Sequence, residues 1–141
     1  MPSAAVSSQG VMLERGDGAS PTEVFTSIAE VHDISGPSES AAQIDVSSFG
    51  STAREYILDI PDGGEVACSM NAIGKDTMQQ ELYADFQART KRNYKIVCPD
   101  GETHAFLGLV IKHDRKFAMG KARTIDFTIK ITGAVTTTYP V

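Results

Sequence analysis

Strict alternation of apolar and polar positions marks one segment of the chain most clearly. Between residues 124 and 132, Ile125, Phe127, Ile129 and Ile131 alternate with Thr124, Asp126, Thr128, Lys130 and Thr132. That is the period of a strand with one buried face. Residues 65–71 repeat it, with Val66, Cys68 and Met70 on one side and Glu65, Ala67 and Ser69 on the other. Residues 94–98 read as a strand running into a hairpin turn at Pro99-Asp100-Gly101. Residues 105–111 are continuously apolar, which predicts a strand covered on both faces, with His113-Asp114-Arg115-Lys116 as a polar bend after it. Earlier in the chain, Val11-Met12-Leu13-Glu14 reads as a short strand ended by the turn formers of residues 16–21. Residues 25–34 read as a second strand, stopped by Gly36-Pro37. Gly133 is expected to close the last strand and leave residues 134–141 as an extended tail.

One segment changes period. Met78, Leu82 and Phe86 recur every fourth residue, Tyr83 widens the stripe, and Gln80, Glu81, Asp85 and Gln87 fall on the opposite, wet side. Asp76 with Gln79 three residues on supplies a start resembling a capping box, and Arg89, Lys91 and Arg92 suit the end. A helix is therefore predicted over about residues 76–90, its apolar stripe serving as core. Many short strands and one helix predict a mainly β fold, a β-sandwich or barrel with one flanking α-helix. The expected organisation is a flexible arm at residues 1–10, one domain at 11–133, and a C-terminal extension at 134–141.

The stretch at residues 44–65 fits neither period. It is too long for an ordinary connector, and it carries Phe49, Tyr56, Ile57, Leu58 and Ile60, too much apolar surface for a solvated linker. Something should cover it, and another copy of the same chain is the expected cover.

Composition narrows the function. The chain has 141 residues, 41% hydrophobic and 22% charged, enough for one real core. A net charge of −5 argues against a general binder of nucleic acid or anionic membrane. The apolar run at residues 105–111 is too short to span a bilayer, and the first ten residues lack the regions of a Sec signal. Cys68 and Cys98 read as free thiols in a reducing cytoplasm, with a bridge between them left open.

Catalytic material is thin. His32, His104 and His113 are scattered, and a zinc site drawn from His104, His113 and Cys98 is disfavoured. No phosphate loop, dinucleotide fingerprint or nucleophile elbow is present. Asp59 and Asp62, beside Pro61 and two glycines, read as turn formers rather than a catalytic pair. Arg15-Gly16-Asp17 spells an adhesion tripeptide but reads as part of a glycine-rich turn. Lys112, Arg115, Lys116, Lys121 and Arg123 cluster, and a solvated bend is favoured over a nucleic-acid patch. No catalytic residue, cofactor or metal ligand is expected.

Taken in order, these pieces resemble the major tail tube proteins of long-tailed bacteriophages, and the resemblance covers most of the chain. It is carried by residues 13–31 as a first hairpin, then Ile34-Ser35-Gly36-Pro37, Ile44-Asp45-Val46-Ser47-Ser48-Phe49, Ala53-Arg54-Glu55-Tyr56-Ile57, and Asp62-Gly63-Gly64 before Glu65-Val66. Residues 126–133 match the last strand and its exit. Ile60-Pro61 and Phe49-Gly50 depart from the usual wording. The resemblance implies a non-enzymatic structural subunit of the virion, made in the host bacterial cytoplasm. Such subunits form hexameric rings that stack into a hollow tube, with a tape-measure protein and DNA in the lumen, and terminator and tail-tip or baseplate proteins at the ends. Six copies would carry a charge of about −30, so an acidic bore would repel DNA. Asp45, Phe49, Arg54, Glu55, Tyr56, Ile57 and Asp62 are then the expected contact residues between rings. The alternative from a different class is a monomeric β-sandwich module binding a ligand or receptor through the same stretch; an enzyme with a dispersed site ranks below both.

Overall fold

The computed structural model describes residues 9–18 and 22–140. Its strands are β1 (Met12–Gly16), β2 (Phe25–Ser27), β3 (Val31–Ser35), β4 (Gln43–Asp45), β5 (Tyr56–Leu58), β6 (Glu65–Asn71), β7 (Arg92–Val97), β8 (Thr103–Lys116) and β9 (Thr124–Thr138), with one helix, α1 (Thr77–Ala88). Among the described residues, seven strands form one antiparallel sheet in the order β2-β1-β7-β8-β9-β6-β3, and β4 and β5 form a separate two-stranded ladder. The main sheet curls so that its two edges approach each other, without a ladder between them among the described residues. Its two outer strands, β2 and β3, are joined by Ile28-Ala29-Glu30 alone, a span of at most about 14 Å. Ile28 N donates to Leu13 O at 2.9 Å and Asn71 N donates to Glu30 O at 3.0 Å, so the connector bridges the two edges. The curled sheet encloses a core in the manner of a small barrel.

The alternating segments point their apolar side chains into that core. Val66, Cys68 and Met70 of β6 are buried, as are Ile125, Phe127, Ile129 and Ile131 of β9 and Tyr94 and Ile96 of β7. The expected strand over residues 25–34 divides in two at Glu30, whose positive φ turns the chain from β2 to β3. β8 differs from expectation twice. Only one face of residues 105–111 is covered: Phe106 and Val110 are buried, whereas Leu107 and Ile111 are exposed. The strand also continues through the expected bend to Lys116, because it pairs with β9 along its length. A bulge between Val110 and Lys112 shifts the pleat, so that His113 and Arg115 lie opposite Phe127 and Ile125 on the inner face. β9 likewise runs past Gly133 to Thr138, pairing Thr136, Thr137 and Thr138 with the start of β8. Residues 134–138 are thus sheet rather than tail. Residues 1–8 of the expected N-terminal arm lie outside the described residues.

α1 packs against β8, with Tyr83 and Phe86 on the His113 ring. Asp76 caps it by accepting from Gln79 N at 3.0 Å, and Leu82 is fully buried against the core with Met78 and Phe86 beside it. Its expected wet face is only partly wet. Asp85 is 4% exposed and takes a bidentate pair from the equally buried Arg15 of β1, at 2.6 and 3.0 Å. Glu81 binds the same guanidinium at 2.7 Å, and Arg92 Nε reaches Asp85 at 3.4 Å. The helix is therefore fastened to the sheet by a charged clamp as well as by its apolar stripe. Arg92 belongs to β7 rather than to the helix end, and the last helical turn carries no basic residue.

Candidate functional site

β4 and β5 build an arm that stands off the barrel between β3 and β6. The expected loop is a hairpin: Gln43 pairs with Leu58, Ile44 with Ile57 and Asp45 with Tyr56, and a bridge from Ser40 to Asp62 ties its base. The tip orders itself through local polar groups. Asp45 accepts from Ser47 N at 2.9 Å and from Arg54 Nη1 at 3.0 Å. Ser47 Oγ accepts from Glu55 N at 2.7 Å, and Ser51 Oγ donates to Glu55 at 3.2 Å. At the base, Asp62 accepts from Gly64 N at 2.9 Å and lies 3.6 Å from Lys130. These hydrogen bonds set the carboxylates. The Ser47 backbone and hydroxyl groups hold Asp45 below its usual range, and the Gly64 amide followed by the Lys130 charge does the same for Asp62.

The arm has no core of its own. Ile44, Val46, Tyr56, Ile57, Leu58 and Ile60 are all exposed, and the Phe49 ring at the tip has no cover at all. Asp45, Arg54, Glu55, Tyr56 and Ile57 are brought together along the hairpin, Phe49 sits at its end, and Asp62 is a structural turn at its root. Val46, Leu58 and Ile60 extend the same apolar surface and were not among the expected contact residues. A second exposed apolar tip lies at the β8–β9 turn, where Phe117 and Met119 point out. Their place between lysines in the sequence hid them, since the run reads as a charged bend.

The other candidate chemistry disperses. His104 and His113 lie nine positions apart on one strand, about 30 Å along it, so no site with Cys98 forms. His104 sits between Thr137 Oγ1 at 3.0 Å and Glu102 at 3.2 Å, whereas His113 packs on the rings of Tyr83 and Phe86. Cys98, Asp100 and Glu102 do converge, but the Asp100 carboxylate is already engaged by the Glu102 amide at 3.0 Å. Both cysteines are free, and burial pushes the Cys68 thiol up to about 12. Arg15 of the adhesion-like tripeptide is buried in the clamp to Asp85, and with Gly16 it forms part of β1 rather than a turn. Within the basic cluster, Lys116 pairs with Asp126 at 2.7 Å and Arg115 lies over the Tyr83 ring at 4.3 Å. Among the described residues no helix is long and apolar enough to cross a membrane.

Comparison with known proteins gives this architecture its context. A chain in the tail of an empty gene transfer agent particle superimposes with a TM-score of 0.75 at 15% identity, covering 96% of this chain and 100% of that one. The SPP1 tail tube matches at 0.75 and 8% identity, over 94% of this chain and 78% of that one. The sheath/tube terminator structure of PVC, an extracellular contractile injection system, matches at 0.76 and 11% identity, over 97% and 99%. No curated protein matches. At these identities the structural likeness speaks to the fold; the family comes from sequence. The family model described as lambda phage tail tube protein matches residues 15–138, so the chain belongs to the lambda phage tail tube protein family and is a structural subunit of the virion's tail tube.

Proposed function

We propose that copies of this chain close into six-membered rings and that these rings stack head to tail, with the arm at residues 43–62 making the contact from one ring to the next. The single observation carrying this reading is the arm's exposed apolar surface on a hairpin with no core beneath it. A two-stranded hairpin is at best marginally stable in water by itself, and a contiguous apolar surface of this kind marks an interaction site. A contact between unlike surfaces propagates into a ring where the rotation closes and into a filament where it does not. The six-fold symmetry of the gene transfer agent tail supports the ring number. Asp45, Phe49, Arg54, Glu55, Tyr56 and Ile57 make the contact in this reading, and Asp62 holds the root of the arm.

The lumen would pass DNA without reading its sequence and would house a tape-measure protein, with terminator and tail-tip or baseplate proteins on the end rings. The subunit performs no catalysis in this reading. Tyr56→Asp, or deletion of residues 48–58, should leave a folded monomer by circular dichroism that fails to elongate by negative-stain microscopy. Tubes of normal length from both variants would overturn the arm's role.

A further inference from the structure

The arm and one particular cleft occupy opposite ends of the same strand. The arm leads directly into Glu65, the first residue of β6, while a cleft opens beside Ala72 and Ile73, just past its last residue, Asn71. Six steps of strand separate them, about 20 Å. The cleft lies between α1 and the inner face of the β8–β9 tip, has a volume of about 250 Å³, and is lined in part by Ile73, Tyr83, His113, Arg115, Phe117 and Arg123. An apolar cavity of about 150 Å³ already admits a benzene-sized guest, so this one has room for a single aromatic side chain. Its floor is aromatic, with the His113 ring 4.9 Å from Tyr83 and 6.2 Å from Phe86. Both ring nitrogens of His113 are buried without a hydrogen-bond partner among the described residues. Its rim is cationic: neither Arg115 nor Arg123 has a carboxylate within ion-pair distance among the described residues, and no acid lines the cleft.

The arm carries the complementary set. Phe49 is its uncovered tip, and residues 43–62 contain Asp45, Glu55, Asp59 and Asp62 against Arg54 alone. We propose that this cleft is the socket for the arm of a second copy, with Phe49 entering beside Ile73 and Phe117 and Glu55, the tip carboxylate that has no cation partner among the described residues, meeting Arg123 and Arg115. Because socket and arm lie at opposite ends of the barrel, the arm of one copy engages the next in line and leaves that copy's own arm free to continue. The contact is thus heterologous and open along the strand direction, the geometry of a filament. The inference rests on the arm being a contact between copies and adds which surface receives it.

Two measurements on the full chain separate the two claims. In the first, Phe49→Cys protein is mixed with Ile73→Cys protein and oxidised, and a disulfide-linked heterodimer is expected on a non-reducing gel; none should form when Ile73→Cys is replaced by Leu107→Cys on the outer face of β8. In the second, Glu55→Arg and Arg123→Glu should each slow elongation about tenfold by light scattering, while a chain carrying both recovers at least part of the rate. Normal elongation by Arg123→Glu together with absence of the Phe49–Ile73 link would overturn the socket, even where deletion of residues 48–58 still blocks tubes. Normal elongation after that deletion would overturn the arm reading and the socket with it.

Discussion

Replacing Asp85 by Asn tests whether the charged clamp holds the helix on the barrel. Asp85 is 4% exposed, and its two oxygens take Nε and Nη2 of Arg15, itself 5% exposed, at 2.6 and 3.0 Å. Removing one partner of a buried pair typically costs about 3–5 kcal/mol, because the remaining charge stays desolvated. Here Glu81 remains on the same guanidinium at 2.7 Å, and its side chain is 43% exposed, so part of the charge is still compensated near solvent. The lower end, about 3 kcal/mol, is therefore expected. For a chain of this length that corresponds to a fall of roughly 10 °C in Tm. Urea denaturation of the assembly-defective Tyr56→Asp background would measure it on a monomer. The double replacement Arg15→Met with Asp85→Leu removes both charges, leaves Glu81 toward solvent and leaves Arg92 on the Asp17 carbonyl at 2.8 Å. It should recover most of the loss, since apolar replacement of a whole buried pair is often neutral or better. A cost below about 1 kcal/mol for Asp85→Asn would show that the apolar stripe alone holds α1 and would refute the clamp.

Other outcomes follow from single contacts. Gly64 has φ +74° and a Cβ there would run into the Ser38 carbonyl, so Gly64→Ala should destabilise the root of the arm and reduce tube yield while leaving the core transition within about 2 kcal/mol of wild type. Tyr94 buries a hydroxyl with no hydrogen-bond partner among the described residues, so Tyr94→Phe should leave Tm unchanged or raise it, and a fall of several degrees would reveal a partner for that hydroxyl. Leu82, with no exposed surface, should cost about 2–5 kcal/mol when cut to Ala. The carboxylates of Asp45 and Asp62 are held below their usual range by hydrogen bonds from Ser47 and Gly64. Their contribution is therefore complete above the unfolded value near pH 4 and is lost as pH falls through the lower folded values. Protection of the Ser47 and Gly64 amides against hydrogen exchange, taken relative to the intrinsic rate at each pH, should fall on acidification before that of β6 and β9 does.

What sequence reading reached, and what it missed, divides along contact range. The alternation of residues 124–132 and 65–71 and the Asp76–Gln79 cap are local patterns, and the structure carries each of them. Asp85 reads as solvent-facing because a helix face looks wet wherever it is charged; its partner Arg15 lies 70 positions away. The inward placement of His113 and Arg115 depends on one bulge, and a bulge reverses the face of every residue after it without altering composition. The arm's pairing escaped for another reason. β4 and β5 have three residues each and are separated by ten, well beyond the few residues of an ordinary hairpin loop. The socket was invisible because its walls come from α1, β8 and β9 together.

These local and distant determinants divide the labour in assembly. The barrel is fixed by long-range pairing and by the clamp, so the walls of the socket at the far end of β6 are set by contacts within one copy. The arm is shaped instead by its own ladder and by hydrogen bonds among Asp45, Ser47, Ser51, Arg54 and Glu55. An arm that is mobile until it meets a neighbour would have to be ordered at each stacking step, at about 0.5–1.5 kcal/mol per immobilised side chain. A hairpin already tied at Ser40 and Asp62 and at its tip avoids much of that cost. Its weakness is then a lack of burial rather than a lack of shape, and burial is what the next copy supplies. Growth by such a device favours addition at a preformed end over random clustering of free subunits, because only an arm and a socket in line can cover Phe49 and bring Glu55 to Arg115 and Arg123 together.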